Sequence, residues 1–70
     1  MKEVKITTEY IKLGQLLKFV GIIDNGSLAK VFLAENEVII NGERDDRRGR
    51  KLYPGDIIEV FNEKYTIVSE

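Results

Sequence analysis

The sequence predicts a small α+β domain in which two short helices pack on a mostly antiparallel sheet. The first half of the chain spaces its apolar residues at helical intervals, whereas the second half consists of short apolar runs separated by turn residues. Helices followed by a run of strands are typical of an α+β layout, with the helices on one side of the sheet. With 70 residues the chain can bury only a small core, so we expect residues 1–70 to form one domain.

The N-terminal part of the chain predicts an edge strand and a first helix. Residues Val4–Thr7 alternate apolar and polar side chains, as a half-buried strand does, and Thr7 or Thr8 is expected to cap the segment that follows. Gly21 supplies the helix stop. Gly14 costs roughly 1 kcal/mol relative to alanine inside a helix, so it indicates close approach of a neighbouring element. The apolar face of the helix consists of Leu13, Leu16, Leu17 and Val20.

A second helix is predicted after residues 24–27, in which Asn25 or Ser27 acts as the N-cap. Asn36, a residue that tolerates the left-handed conformation, is expected to end it. The first backbone N–H groups of this helix have no intrahelical partner, and with Lys30 nearby they predict a seat for a phosphate. The apolar stripe of the helix consists of Ala29, Phe32 and Leu33.

The second half of the chain predicts strands joined by tight turns. Asn41-Gly42 follows an apolar run and indicates a turn with positive φ, and the segment Pro54–Asp56 indicates a second reversal. Asn62-Glu63 offers a third turn. The strands themselves are predicted at Val38–Ile40, Ile57–Phe61 and Lys64–Val68.

The positive charge of the chain is concentrated between the first two of these turns. Residues 44–51 hold five cations against Asp45 and Asp46, a local charge of +3 in a chain whose net charge is −1. Arginine offers a planar fork of donors that fits phosphate oxygens, so the cluster is interpreted as a phosphate-contacting surface. The alternative is a solvated loop whose arginines pair with Asp45, Asp46 and Glu43. The cations of the cluster are Arg44, Arg47, Arg48, Arg50 and Lys51.

Polar and aromatic side chains outside the cluster have two interpretations each. Lys12, Gln15 and Lys18 either form the helical side of the same groove or are a solvated helix face. Phe19 and Tyr53 are suited to stacking on unpaired bases, but both lie beside apolar runs and are therefore assigned to the core. The case for stacking by Tyr10 and Tyr65 is weaker still.

Several function classes are disfavoured by composition. Without cysteine or histidine, the chain lacks thiol chemistry, the usual zinc ligands and the commonest general base, so we expect neither a cofactor nor an enzyme. Residues 21–27 have the glycine interval of a phosphate-binding loop but not its lysine, so no nucleotide or other small-molecule substrate is expected. Asp45 and Asp46 lack the cleft that paired catalytic carboxylates need. No run approaches the roughly 20 apolar residues of a membrane span, and no signal peptide is evident, so a cytoplasmic protein is expected.

These residues resemble the S4 RNA-binding domain over Lys12–Val60, and more narrowly the small stand-alone bacterial S4 proteins of the YaaA type. The resemblance is carried by the stretches IKLGQLLKFVG, AKVFLAENEVIINGE and RRGRKLYPGD. It implies an L-shaped basic surface, built from two helices and a hairpin, that clamps structured RNA. Lys12 stands where the family usually has arginine, Asn25 where it has serine, and Lys30 at a usual basic position.

Two departures from the family pattern affect the expected phosphate contacts. Gly14 replaces a common aspartate, and Gly26 replaces the arginine that usually follows the serine, so one phosphate contact is lost. The YaaA-like group tolerates small residues at these positions, and the arginine cluster is expected to compensate.

The sequence therefore predicts a non-catalytic protein that recognises structured RNA, either ribosomal or transfer RNA, with a ribosomal subunit as a further expected partner. Contacts are expected to be mainly to phosphates, with little base specificity. The alternative is a protein-interaction adaptor, or a DNA-associated factor, that uses the same hairpin. The predicted RNA-binding residues are Lys12, Gln15, Asn25, Ser27, Lys30, Asn41, Arg44, Arg47, Arg48, Arg50 and Lys51.

Overall fold

The computed structural model describes residues 1–70 and contains seven strands and two α-helices. The helices are α1 (Leu13–Phe19) and α2 (Ala29–Glu35), and a short 3-10 turn at Gly26–Leu28 leads into α2. The predicted α+β class, with two short helices against a mostly antiparallel sheet, is confirmed. The strands are β1 (Lys2–Ile6), β2 (Ile11–Lys12), β3 (Ile39–Ile40), β4 (Glu43–Arg44), β5 (Lys51–Leu52), β6 (Ile57–Val60) and β7 (Glu63–Ser69).

Five strands form the main sheet, in the order β1-β7-β6-β3-β4. Strand β1 lies at one edge, as its alternating sequence predicts, and pairs with β7 in parallel, while every other pair in this sheet is antiparallel. The Asn41-Gly42 turn between β3 and β4 has φ of 52° and 85°, which confirms the predicted tight turn. Strand β4 forms the opposite edge.

A second, two-stranded sheet pairs β2 with β5 in antiparallel register. Nothing in the sequence predicted it, because each of its strands is only two residues long and shows no alternation. This ribbon places the start of α1 beside the end of the arginine-rich segment.

One hydrophobic core fills the space between the helices and the sheets. All sixteen buried residues are apolar apart from Gly14, and none carries a charge. The predicted faces of both helices contribute to this core, although Val20 and Phe32 are only partly buried. The largest fully buried side chains are Leu13, Leu16, Leu17, Ile40, Leu52, Ile58, Ile67 and Val38.

Asn36 ends α2, as predicted, but it does so in an extended conformation (φ −133°) in which its side-chain amide donates to the Phe32 carbonyl oxygen. Two other details of the predicted elements were wrong. Helix α1 is capped by Gln15, whose Oε1 accepts from the Lys12 N–H at 3.0 Å, because β2 separates Thr7 and Thr8 from the helix. The last turn lies one residue earlier than predicted, at Phe61-Asn62, since Glu63 already pairs with Val60.

Candidate nucleic-acid interface

The arginine loop, residues 45–50, is attached to the beginning of α1 by backbone hydrogen bonds. The Leu13 N–H donates to the Arg50 carbonyl oxygen at 2.8 Å, and the Gly14 N–H donates to the Arg48 carbonyl oxygen at 2.9 Å. Two of the N–H groups that a helix leaves without intrahelical partners are thereby satisfied. The loop is consequently held against the helix, and its side chains leave from a fixed position.

Gly14 is required where α1, α2 and the arginine loop meet. A Cβ atom at this position would lie 3.2 Å from the Ala29 Cβ and 3.4 Å from the Arg48 carbonyl oxygen. The close approach that glycine indicated in the sequence is confirmed, and its neighbours are α2 and the loop. The absence of a side chain at Gly14 brings Arg48 close to both helices.

Asp45 organises the arginine loop from within. Its side chain is only 8% exposed, and its two oxygens accept from the Arg47 Nε and Nη2 atoms at 3.0 and 2.7 Å. It also accepts from the Arg47 backbone N–H at 2.9 Å and from Arg50 Nη1 at 2.8 Å. Hydrogen bonds from the Arg47 guanidinium are the main reason that the pKa of Asp45 lies far below its usual range, while burial of the carboxyl acts in the opposite direction. Asp45 in turn raises the pKa of Arg47.

The ion-pairing interpretation of the arginines is therefore correct for Arg47 and Arg50, both of which bind Asp45. It does not apply to Arg44 or Arg48, since neither has a carboxylate within ion-pair distance. The four arginines of the cluster thus divide into two that fix the loop and two that make no ion pair within the protein.

A groove of about 390 Å³, the cationic groove, lies between α1, the start of α2 and the arginine loop. Its lining carries three cations, Lys12, Lys18 and Arg48, and no carboxylate. Lys12, Gln15 and Lys18 lie on the same side of α1 because positions three residues apart share a helix face. Arg48 closes the opposite wall. The lining consists of Lys12, Gly14, Gln15, Lys18, Gly26, Ala29, Arg48 and Gly49.

Comparisons with known proteins agree with this architecture. A family model described as the S4 domain matches residues 4–68, nearly the whole chain. The chain belongs to the S4 domain family. It is also similar to the probable ribosome maturation protein RlbA of Bacillus subtilis, with 54% identity over 57 residues that cover 81% of this chain and 80% of the relative. The family resemblance noted in the sequence is confirmed.

The S4 domain places only some of the predicted binding residues in the cationic groove. Lys12, Gln15 and Arg48 line it. Lys18 lines it as well, although it is not among the predicted binding residues; its spacing of three residues from Gln15 indicates that both lie on the same side of α1. Arg44 lines a neighbouring hollow of mixed charge with Asp45, Asp46, Arg47 and Arg50. Lys30 is exposed on α2 but does not line the groove, and Lys51 lies on β5.

The predicted polar contacts from Asn25, Ser27 and Asn41 also have roles within the protein. Asn25 Oδ1 accepts from both the backbone N–H and the hydroxyl of Ser27, so it caps the 3-10 turn that precedes α2, whereas the predicted cap of α2 itself is wrong because Leu28 occupies that position. Asn41 Nδ2 donates to Asp56 Oδ1 at 3.0 Å, and its Oδ1 accepts from the Ile57 N–H at 2.9 Å. Asn41 therefore ties the hairpin turn to β6, while the capping pair lies directly beside Gly26 of the groove.

The assignment of Phe19 and Tyr53 to the core was wrong. Phe19 is 65% exposed and Tyr53 is 41% exposed, although each lies within two residues of a buried leucine, Leu17 and Leu52 respectively. Tyr65, by contrast, is buried. The Tyr10 and Tyr53 rings lie with their centroids 5.8 Å apart.

The S4 domain has neither a membrane-spanning helix nor a cluster of acidic side chains suited to a metal ion. Neither helix is long and apolar enough to cross a membrane. Side chains of aspartate and glutamate do not come together in groups of three that would hold a metal ion.

Proposed function

We propose that this protein binds structured RNA without catalysing a reaction, and that ribosomal RNA within a ribosomal particle is its main ligand. One observation carries the proposal: the cationic groove combines Lys12, Lys18 and Arg48 without any carboxylate in its lining. A concave surface of this charge attracts a polyanion, and each neutralised phosphate releases counterions.

Membership of the S4 domain family supports RNA as the polyanion, and the similarity to a protein named for ribosome maturation supports a ribosomal ligand. Transfer RNA and a ribosomal subunit remain among the proposed partners, and the proposed compartment is the cytoplasm. We further propose that residues 1–70 act as one RNA-binding domain. The proposed contacts are the predicted residues Lys12, Gln15, Asn25, Ser27, Lys30, Asn41, Arg44, Arg47, Arg48, Arg50 and Lys51, to which we add Lys18.

The arrangement favours recognition of backbone shape and charge over recognition of base sequence. Arg48 projects from a loop that is fixed to α1, and its guanidinium has no carboxylate to displace before it meets a phosphate. Arg47 and Arg50 would instead share their charge between Asp45 and the RNA. We therefore expect Arg48 to contribute more to binding than Arg47, although the two are adjacent in sequence.

The test is RNA binding across a salt series, with purified ribosomal RNA and with transfer RNA as ligands. The logarithm of the affinity should fall steeply with the logarithm of the salt concentration, and Arg48→Ala should reduce that slope by about 1. Arg47→Ala should reduce it less. Lys5→Ala is the matched control, because Lys5 is exposed on the edge strand β1 and makes no ion pair.

A flat salt dependence, or an Arg48→Ala variant that binds like the control, would contradict the proposal and favour the adaptor interpretation. Equal affinity for duplex DNA and for ribosomal RNA would favour a DNA-associated factor.

A further inference from the structure

The outward face of the β2–β5 ribbon carries two aromatic and two cationic side chains in adjacent positions. The ribbon pairs Ile11 with Leu52 and Lys12 with Lys51 in antiparallel register. One step further along the same register, Tyr10 lies opposite Tyr53, and the two rings are tilted by 51°. Leu52 is fully buried, and side chains alternate between the faces of a strand, so Lys51 and Tyr53 point away from the core.

We name the surface formed by Tyr10, Lys12, Lys51 and Tyr53 the tyrosine–lysine face. Lys51 Nζ lies 4.9 Å from the centroid of the Tyr10 ring, within cation–π distance. Neither lysine has a carboxylate within ion-pair distance. Two lysines without counter-charges lie beside the exposed Tyr53 ring and the half-buried Tyr10 ring, and they are therefore available to a ligand that is both aromatic and anionic.

The turn after β5 fixes the position of Tyr53. Its backbone N–H donates to Asp56 Oδ2 at 2.8 Å, and its carbonyl oxygen accepts from the Asp56 N–H at 3.0 Å. The ring thus projects from a backbone that is held on both sides. A stacking surface of this kind is preorganised, so little conformational entropy is lost when a ligand binds.

The tyrosine–lysine face is continuous with the cationic groove. Lys12 and Gln15 line the groove and also a neighbouring hollow that contains Tyr10. The hollow contains one carboxylate, that of Glu9, together with Thr8 and Ile11. A polynucleotide strand that leaves the groove past Lys12 therefore reaches the tyrosine rings directly.

From this juxtaposition we infer that the tyrosine–lysine face binds an unpaired nucleotide of RNA, whose base stacks on the exposed Tyr53 ring beside Tyr10 and whose phosphates contact Lys12 and Lys51. The inference rests on the proposed function and adds a feature of the ligand: a single-stranded segment beside the structured region. Bases within a duplex have no free face to offer, whereas splayed bases of single-stranded RNA stack on aromatic side chains in a sequence-tolerant way.

The first experiment uses a short oligouridylate and the same oligomer with one abasic position as probes. In NMR titrations of the intact protein, the ring protons of Tyr10 and Tyr53 should shift with the oligouridylate, and the abasic oligomer should bind roughly tenfold more weakly. Ring resonances of Tyr10 and Tyr53 that stay unchanged would overturn the inference.

The second experiment tests whether the aromatic ring of Tyr53 itself contributes to binding, independently of nearby charges and of any loss of folding stability. Tyr53→Leu should weaken oligouridylate binding roughly tenfold, whereas Tyr53→Phe, which keeps the ring, should bind like the unmodified protein. Phe19→Leu is the matched control, since Phe19 is also an exposed aromatic but lies at the far end of α1. Equal losses for Tyr53→Leu and Phe19→Leu would overturn the inference.

Failure of this inference and failure of the proposed function have different signatures. If Tyr53→Leu binds ribosomal RNA and the oligouridylate like the unmodified protein, while Arg48→Ala still lowers the salt slope, the stacking site is wrong and RNA binding stands. If the unmodified protein binds ribosomal RNA without salt dependence, the proposed function itself fails.

Discussion

Replacement of Asp45 by asparagine tests whether one buried carboxylate holds the arginine loop in place. Asparagine has nearly the same shape and can still accept from the Arg47 backbone N–H, but it carries no charge for the two guanidinium groups. The Arg47 side chain is 68% exposed, so its ion pair with Asp45 contributes little to stability. The Arg50 side chain is only 28% exposed, so most of the ion-pair stabilisation comes from Arg50. We expect Asp45→Asn to lower the free energy of unfolding by about 1–2 kcal/mol near neutral pH.

This effect has a defined pH dependence. The pKa of Asp45 is lower in the folded protein than its unfolded value of about 3.9, so the carboxylate stabilises the fold above that pH. The stabilisation is lost as the pH falls below about 4 and through the folded pKa. The difference in stability between the unmodified protein and Asp45→Asn should therefore be constant near neutrality and shrink progressively in acid.

Urea denaturation followed by circular dichroism measures this difference at each pH. A change of 1 kcal/mol also corresponds to about 4–8 °C in Tm for a domain of this size. Asp46→Asn is the matched control, because Asp46 is the next residue, is exposed, and makes no hydrogen bond or ion pair. Equal unfolding curves for the two variants, or a difference that persists unchanged in acid, would refute the reasoning.

Two further substitutions test the junctions that position the site. Gly14→Val should lower the free energy of unfolding by about 1–3 kcal/mol, because its side chain would meet Ala29 and the Arg48 backbone; an unchanged urea midpoint would contradict the close packing. Asn41→Gly keeps a residue that accepts positive φ but removes two hydrogen bonds to Asp56 and Ile57, so stability should fall by about 1–2 kcal/mol. Because asparagine is neutral, the readout is the affinity for ribosomal RNA at one fixed salt concentration: it should stay unchanged if the role of Asn41 is structural, and a weaker affinity would show that Asn41 contacts RNA.

The sequence was sufficient to predict those features that depend on residues close together in the chain. Spacing of apolar residues predicted both helices, and Asn41-Gly42 predicted the hairpin turn. The family was recognisable for the same reason, since its pattern is a set of local intervals. Local periodicity reports which face of an element is buried, and turn residues report where the chain reverses.

The tertiary structure alone decided which polar residues meet. Arg47 and Arg48 are equivalent as neighbours in sequence, yet only Arg47 binds Asp45, while Arg48 lines the cationic groove. Lys18 joins that groove, and Tyr10 meets Tyr53 across 43 positions of sequence. These placements depend on the docking of the arginine loop on α1 and on the β2–β5 ribbon. Both are made by backbone hydrogen bonds between distant segments, which leave no periodic signal in the side chains.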